Sequence, residues 1–161
     1  MNGRAIAGLV ALAVSLGLSS IASAQELAAV RDADPMELAR VVRELGDPVV
    51  LERLGDATPQ GERLAATRAA RFLHAPELAL ERLAELAAGR DPWLSEAAAA
   101  ALLAIADALD PSGMARREHG AAPIEAALPH LDRLVADEAA RPDLRAVAEH
   151  VARQLRALAV D

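Results

Sequence analysis

The chain has no cysteine, no tyrosine and no lysine, and a single tryptophan and a single phenylalanine among its 161 residues. Without Cys there is no disulfide scaffold, no zinc–thiolate site and no thiol nucleophile. Without Lys, Schiff-base chemistry and a P-loop are excluded, because both need the ε-amino group. A basic surplus is missing too: 24 acids face 17 arginines, a net charge of −7 with a pI near 5.1. That balance argues against a general nucleic-acid binder, whose affinity rests on excess positive charge. No run of alternating Val, Ile or Thr offers a strand. Alanine fills the space instead, with 41 residues, and the apolar fraction reaches 53%.

Residues 1–24 have the layout of a secretory signal. Arg4 gives a positive start, Ile6 to Leu18 form an uncharged apolar run, and Ala22-Ser23-Ala24 ends it in an A-x-A site. Cleavage after Ala24 would leave Gln25 first, a short linker over 25–34, and a helical domain over 35–161. The apolar run from Ala5 to Ala24, if retained, is just long enough to span a bilayer. No Cys follows it, so lipid attachment to a mature N-terminal Cys is impossible. Removing 24 residues leaves sixteen arginines against 24 acids, a net charge of −8. The expected location is periplasmic or secreted, where a chain without Cys must hold its fold by packing alone.

Prolines set the rhythm of the rest. Asp34-Pro35, Asp47-Pro48, Thr58-Pro59 and Asp91-Pro92 each place a capping acceptor before a proline at the first helical position, where its missing N–H costs nothing. Glu37 follows Asp34 at capping-box spacing. Leu38, Val41, Val42 and Leu45 make an i, i+3, i+4, i+7 stripe, as do Leu80, Leu83, Ala84 and Ala87. A longer stripe runs Leu94, Ala98, Ala101, Leu102, Ile105, Leu109, and the last runs Leu144, Val147, Ala148, Val151, Leu155, Leu158. These patterns predict helices over 35–45, 48–54, 59–73, 76–88, 92–109, 123–138 and 142–159. The 92–109 segment is apolar nearly all round and is expected to be buried on every side, Ala100 included. Residues 110–122 carry turn chemistry and read as a loop. Pro129 is expected to kink or restart the helix around it.

The helices recur in pairs, a Leu-rich member followed by an Ala-rich one. One pair runs from Val50-Leu51-Glu52-Arg53-Leu54 to Ala69-Ala70-Arg71-Phe72-Leu73. The next runs from Leu83-Ala84-Glu85-Leu86 through Asp91-Pro92 to Ala98-Ala99-Ala100-Ala101-Leu102, and the third from Leu131-Asp132-Arg133-Leu134 through Leu144-Arg145 to Leu155. Over about 48–159 this resembles HEAT-repeat proteins, in particular the shorter bacterial HEAT-like units. Ser95 stands where that family usually has arginine, and Glu149 interrupts the alanine pair of the third unit. The resemblance implies an all-α fold of antiparallel helix pairs stacked as a short α-solenoid; an irregular helical bundle is the alternative. Stacking buries the inner pairs and leaves polar faces at the ends, consistent with Arg40, Arg43 and Glu44 near one end and Arg145, Glu149 and Arg153 near the other.

Chemistry finds little to work with. After residue 24 the only hydroxyl side chains are Thr58, Thr67, Ser95 and Ser112, none in a nucleophile elbow. Thr58 reads as a cap, Thr67 as a helix-surface residue and Ser95 as a local backbone acceptor in a first turn. His74, His119, His130 and His150 never fall at i, i+4, so no helix presents a two-histidine metal face; His130 with Asp132 or Asp137 would need a partner from elsewhere. No catalytic residue, metal ligand or cofactor is assigned.

What remains is surface. In HEAT-like proteins the second helices line the partner-binding side, so the resemblance places Arg68 and Arg71 there. The loop adds Arg116 and Arg117, and Trp93 opens the second helix of the middle pair. Arginine suits interfaces by its planar fork, although dispersed surface charge explains it equally. A lone Trp in an Ala-rich chain is expected to pack against a helix end rather than anchor a partner. The expected function is a non-catalytic scaffold binding a protein or envelope component, with no nucleic acid and no membrane span once the signal is removed. A self-associating structural or stress-related bundle is the alternative. A lyase or isomerase role, implied by HEAT-like chromophore lyases, has only fold analogy behind it.

Overall fold

The computed structural model describes residues 34–109 and 119–159. The expected signal, nearly all of the linker, and Arg116 and Arg117 fall outside them. The described residues are all helical, with no strand: α1 Pro35–Leu45, α2 Asp47–Arg53, α3 Gln60–Ala69, α4 Leu80–Ala87, α5 Pro92–Ala108, α6 Ala122–Ala136 and α7 Pro142–Ala159. Two 3₁₀ turns, Ala70–Phe72 and Pro76–Ala79, bridge α3 and α4.

Proline placement explains the starts. Asp34 caps α1 by accepting from the N–H groups of Met36 at 2.8 Å and Glu37 at 3.1 Å. Asp91 caps α5 the same way, accepting from Trp93 at 3.0 Å and Leu94 at 3.2 Å. Gly46 ends α1 with φ +81°, a left-handed backbone that glycine adopts without steric cost, and its N–H reaches the Val42 carbonyl at 2.8 Å. Two expected caps work differently. Asp47 is the first residue of α2 and spends its carboxylate on His74 and Ala75. Thr58 is buried and precedes α3 by two residues, and no side chain caps that helix.

α4 packs against α5 and α6. α5 also packs against α3 and α7, α6 packs against α7, and α2 packs against α3. The diagonal pairs α4–α7 and α5–α6 make little or no contact. Thus α4 and α6 lie side by side in one layer, and α3, α5 and α7 in the other. The core between them includes Leu80 and Leu83 of α4, Leu102 and Ile105 of α5, Ile124 and Leu131 of α6, and Val151 and Leu155 of α7. Each such side chain contributes about 1.5–3 kcal/mol on removal from water. Alanines at 65, 66, 84, 98 and 127, all buried, let the backbones approach closely.

Three expectations fail locally, and the restart offered for Pro129 does not occur. α5 is not buried on every side: Ala100 is exposed, as are Glu96, Asp107 and Ala108, while Leu103 and Ala104 are half-buried. Trp93 does not pack; it is 64% exposed. Thr67 is fully buried rather than on the surface, and its hydroxyl donates to the Arg63 carbonyl at 2.8 Å. Pro129 lies inside α6, which continues through it as one helix. Because Pro129 is exposed, its ring and the missing hydrogen bond fall on the water side, where the freed carbonyl can be solvated.

Candidate functional site

The surface around the C-terminal half of α4 holds two open clefts that share Glu85. The first, of about 200 Å³, lies between the 54–58 turn, α3 and the α4–α5 turn, with Arg63, Arg82, Arg90 and Leu94 in its wall. The second, of about 310 Å³, lies toward α6 and is lined by Glu85, Ala88, His130 and Arg133.

Two arginines build the first cleft. Arg63, one turn into α3, donates to the carbonyls of Asp56 at 2.7 Å and Thr58 at 3.0 Å, and its charge lies 3.5 Å from the Asp56 carboxylate. Arg82 of α4 donates from Nε to the Leu54 carbonyl at 3.0 Å and through its two terminal nitrogens to Glu85 and Asp56. Burial pulls the Arg82 pKa down, but the hydrogen bonds it donates to Glu85 and Asp56 and the charges of those carboxylates outweigh it and raise it above the ordinary value. The pair therefore fixes the 54–58 turn against α3 and α4.

Ser95 holds the α4–α5 turn that forms part of the first cleft's wall. This residue is 2% exposed, and its hydroxyl lies 2.8 Å from the Asp91 carbonyl, 3.0 Å from that of Gly89 and 3.4 Å from that of Leu86. It is a donor to the turn, not the acceptor expected from its first-turn position. Asp91 holds the same turn from the other side, since its second carboxylate oxygen accepts from Gln60 of α3. Arg90 and Trp93 are left exposed on either side of that pinned residue.

In the second cleft the Nδ1 of His130 accepts from Arg133 at 2.9 Å, while its Nε2 lies 3.7 Å from Glu85 and 4.0 Å from Glu81. Asp132 and Asp137 do not join it. Asp132 pairs with Arg156, and Asp137 accepts the N–H of Ala139 at 2.9 Å. Among the described residues no group of three or more His, Cys, Asp or Glu is arranged to hold a metal ion.

The sequence-predicted partner residues scatter. Arg68 is half-buried and engaged within the fold. Arg71 is exposed and sits over the Phe72 ring, 4.7 Å from its centroid. Neither lines the two clefts; Trp93 is not a lining residue either, but it directly precedes Leu94, which lines the first cleft together with Asp91. No motif marked Arg82 or Arg90; Arg133 fell within the third repeat unit, and only Asp91-Pro92 marked the turn. No helix among the described residues is long and apolar enough to cross a membrane.

Comparison with known proteins gave no match: no family model, no curated protein and no solved structure is significantly similar to this chain.

Proposed function

We propose that this chain is an exported, non-catalytic scaffold of HEAT-like helix pairs that binds a protein or envelope partner through Trp93 and the adjoining clefts. The observation that carries the reading is the 64% exposure of the one tryptophan, on a helix start pinned by Asp91, beside an arginine-lined cleft. Large rigid aromatics and arginines beside a preformed concavity are the usual anchors of protein interfaces. The two-layer contact pattern supports the solenoid: α2–α3, α4–α5 and α6–α7 form pairs, the second helices stack in the order α3, α5, α7, the first helices of the last two pairs stack as α4 on α6, and the diagonal contacts between those two pairs are slight. These pairs coincide with the three sequence units. Export is read from the 1–24 segment. A non-catalytic role accords with the internal commitment of Thr67 and Ser95 to backbone carbonyls.

A photo-reactive residue in place of Trp93, compared with one at exposed Glu149 on α7, tests this in the native envelope. A discrete adduct from position 93 that is absent from position 149 is expected. Identical or absent adducts at both positions would overturn the reading.

A further inference from the structure

We infer that the occupant of the two clefts, which share Glu85 and together form one groove, is an acidic, leucine-containing segment of a partner protein, held by Arg90 and Arg133 and covering Trp93. The inference rests on the scaffold reading and adds the partner's chemistry. The walls of the two clefts together carry four arginines against three carboxylates, on a chain whose net charge is −7. The carboxylates are already committed. Asp56 is held by Arg63 and Arg82, Glu85 by Arg82, and Asp91 by two backbone N–H groups and Gln60. Glu81 lines neither cleft, and its carboxylate lies 4.0 Å from the Nε2 of His130.

The outer two arginines are different. Arg90 is exposed and has no carboxylate within salt-bridge distance among the described residues. Arg133 is exposed as well, and its guanidinium donates to the neutral acceptors nearest it, the His130 ring nitrogen at 2.9 Å and the Pro129 carbonyl at 3.3 Å. A guanidinium fork prefers a carboxylate to either acceptor. Each of the two clefts therefore holds one exposed cation, the acids that line them are engaged within the fold, and an exposed indole lies three residues along the chain from Arg90. Two carboxylates and an apolar residue on one extended segment complement all three. A long polyanion such as a nucleic acid meets the same groove but also the acidic remainder of the surface, which repels it.

Trp93 is the only tryptophan, so its emission reports a segment that covers it next to the first cleft. The purified full-length chain is titrated at low salt with a blocked peptide of glutamates around one leucine, and with its glutamine counterpart. Saturable change with the glutamate peptide is expected, at least about tenfold tighter than with the glutamine peptide and weakening as salt rises. Arg90→Gln and Arg133→Gln, both at exposed positions, are each expected to weaken it about threefold or more without altering the circular dichroism. Equal binding of the two peptides, unchanged affinity in both arginine variants, or no binding of either peptide overturns the acidic assignment. So does tighter binding of an oligodeoxythymidine than of the glutamate peptide. The scaffold reading is judged separately, by the adduct at position 93.

Discussion

The carboxylate of Asp47 accepts the backbone N–H groups of His74, at 3.0 Å, and Ala75, at 2.9 Å, across 27 and 28 residues of chain. A side chain expected to cap its own helix closes a different turn instead, the one between the two 3₁₀ segments. Its own helix starts one residue earlier, at Asp47 itself, so its N–H demand is not met by this carboxylate. Asp47→Ala leaves two donors unpartnered, one on the half-buried Ala75, and is expected to cost about 1–2 kcal/mol in urea unfolding. Asp47→Asn keeps one acceptor oxygen and should lose less. Equal stability of the alanine variant and the parent would remove this tie from the fold.

Ala100 marks where burial was misread and supplies a second prediction. Glu96, Ala100, Leu103 and Asp107 follow at i, i+4, i+7 and i+11, one stripe of α5, and the charged ends of that stripe are anchored to α7 and to the residue just before it. Arg141 pairs with Glu96, and Gln154 donates to Asp107 at 2.9 Å. Ala100→Asp therefore puts its charge on a wet edge, and a change within about 0.5 kcal/mol is expected. Ala98→Asp, at a fully buried position two residues away, should cost several kcal/mol or prevent folding. Thermal melts of the pair decide between this face and its opposite.

Much of the architecture was legible because proline, capping acceptor and 3.6-residue spacing all act locally. Every α-helix of the described residues falls on a segment that the pattern marks, and Asp34 and Asp91 cap as their positions require. Failures cluster where a decision belongs to tertiary contacts. Alanine is indifferent to water, so a run from Ala97 to Ala101 does not show which flank is wet; the neighbouring charges Glu96 and Asp107 did, by register. Trp93 was expected inside by volume, but Asp91 fixes it at a helix start, on the open side. The clefts were not legible at all. Arg63, Arg82, Arg90 and Arg133 come from three helices and a turn, and only the packing of α4 against its neighbours brings them to one surface.

Ser95 gives a third prediction, because it occupies a spot where a polar atom must be satisfied. Its hydroxyl has one proton to donate, and the Asp91 carbonyl at 2.8 Å is the nearest of three acceptors. Ser95→Ala removes that bond at a buried position and should cost about 1–2 kcal/mol. The α4–α5 turn carries Arg90, so the same variant should also loosen the groove. Amide hydrogen exchange in residues 88–91 is expected to accelerate relative to α7. Uniform exchange in both regions would show that Ser95 does not hold the turn.

Acid stability yields the fourth. The Arg141 guanidinium, by hydrogen bonding, holds the Asp143 carboxyl below its ordinary value of 3.8 despite an opposing effect of desolvation, and the backbone N–H groups at the start of α7 add to it. In turn Asp143 and Glu96 raise the Arg141 pKa, an effect that matters only at extreme alkaline pH. A carboxyl with a depressed folded value stabilises the protein above its unfolded value, and that contribution is lost as pH falls through the folded one. The melting temperature of the parent should therefore exceed that of Asp143→Asn by a constant margin above about pH 5, and the margin should close below 3.8. Because both side chains are exposed, raised salt should narrow the same margin at neutral pH. A margin that widened on acidification would mean that the negative charge at 143 opposes folding, and that Arg141 ties α7 to α5 through Glu96 alone.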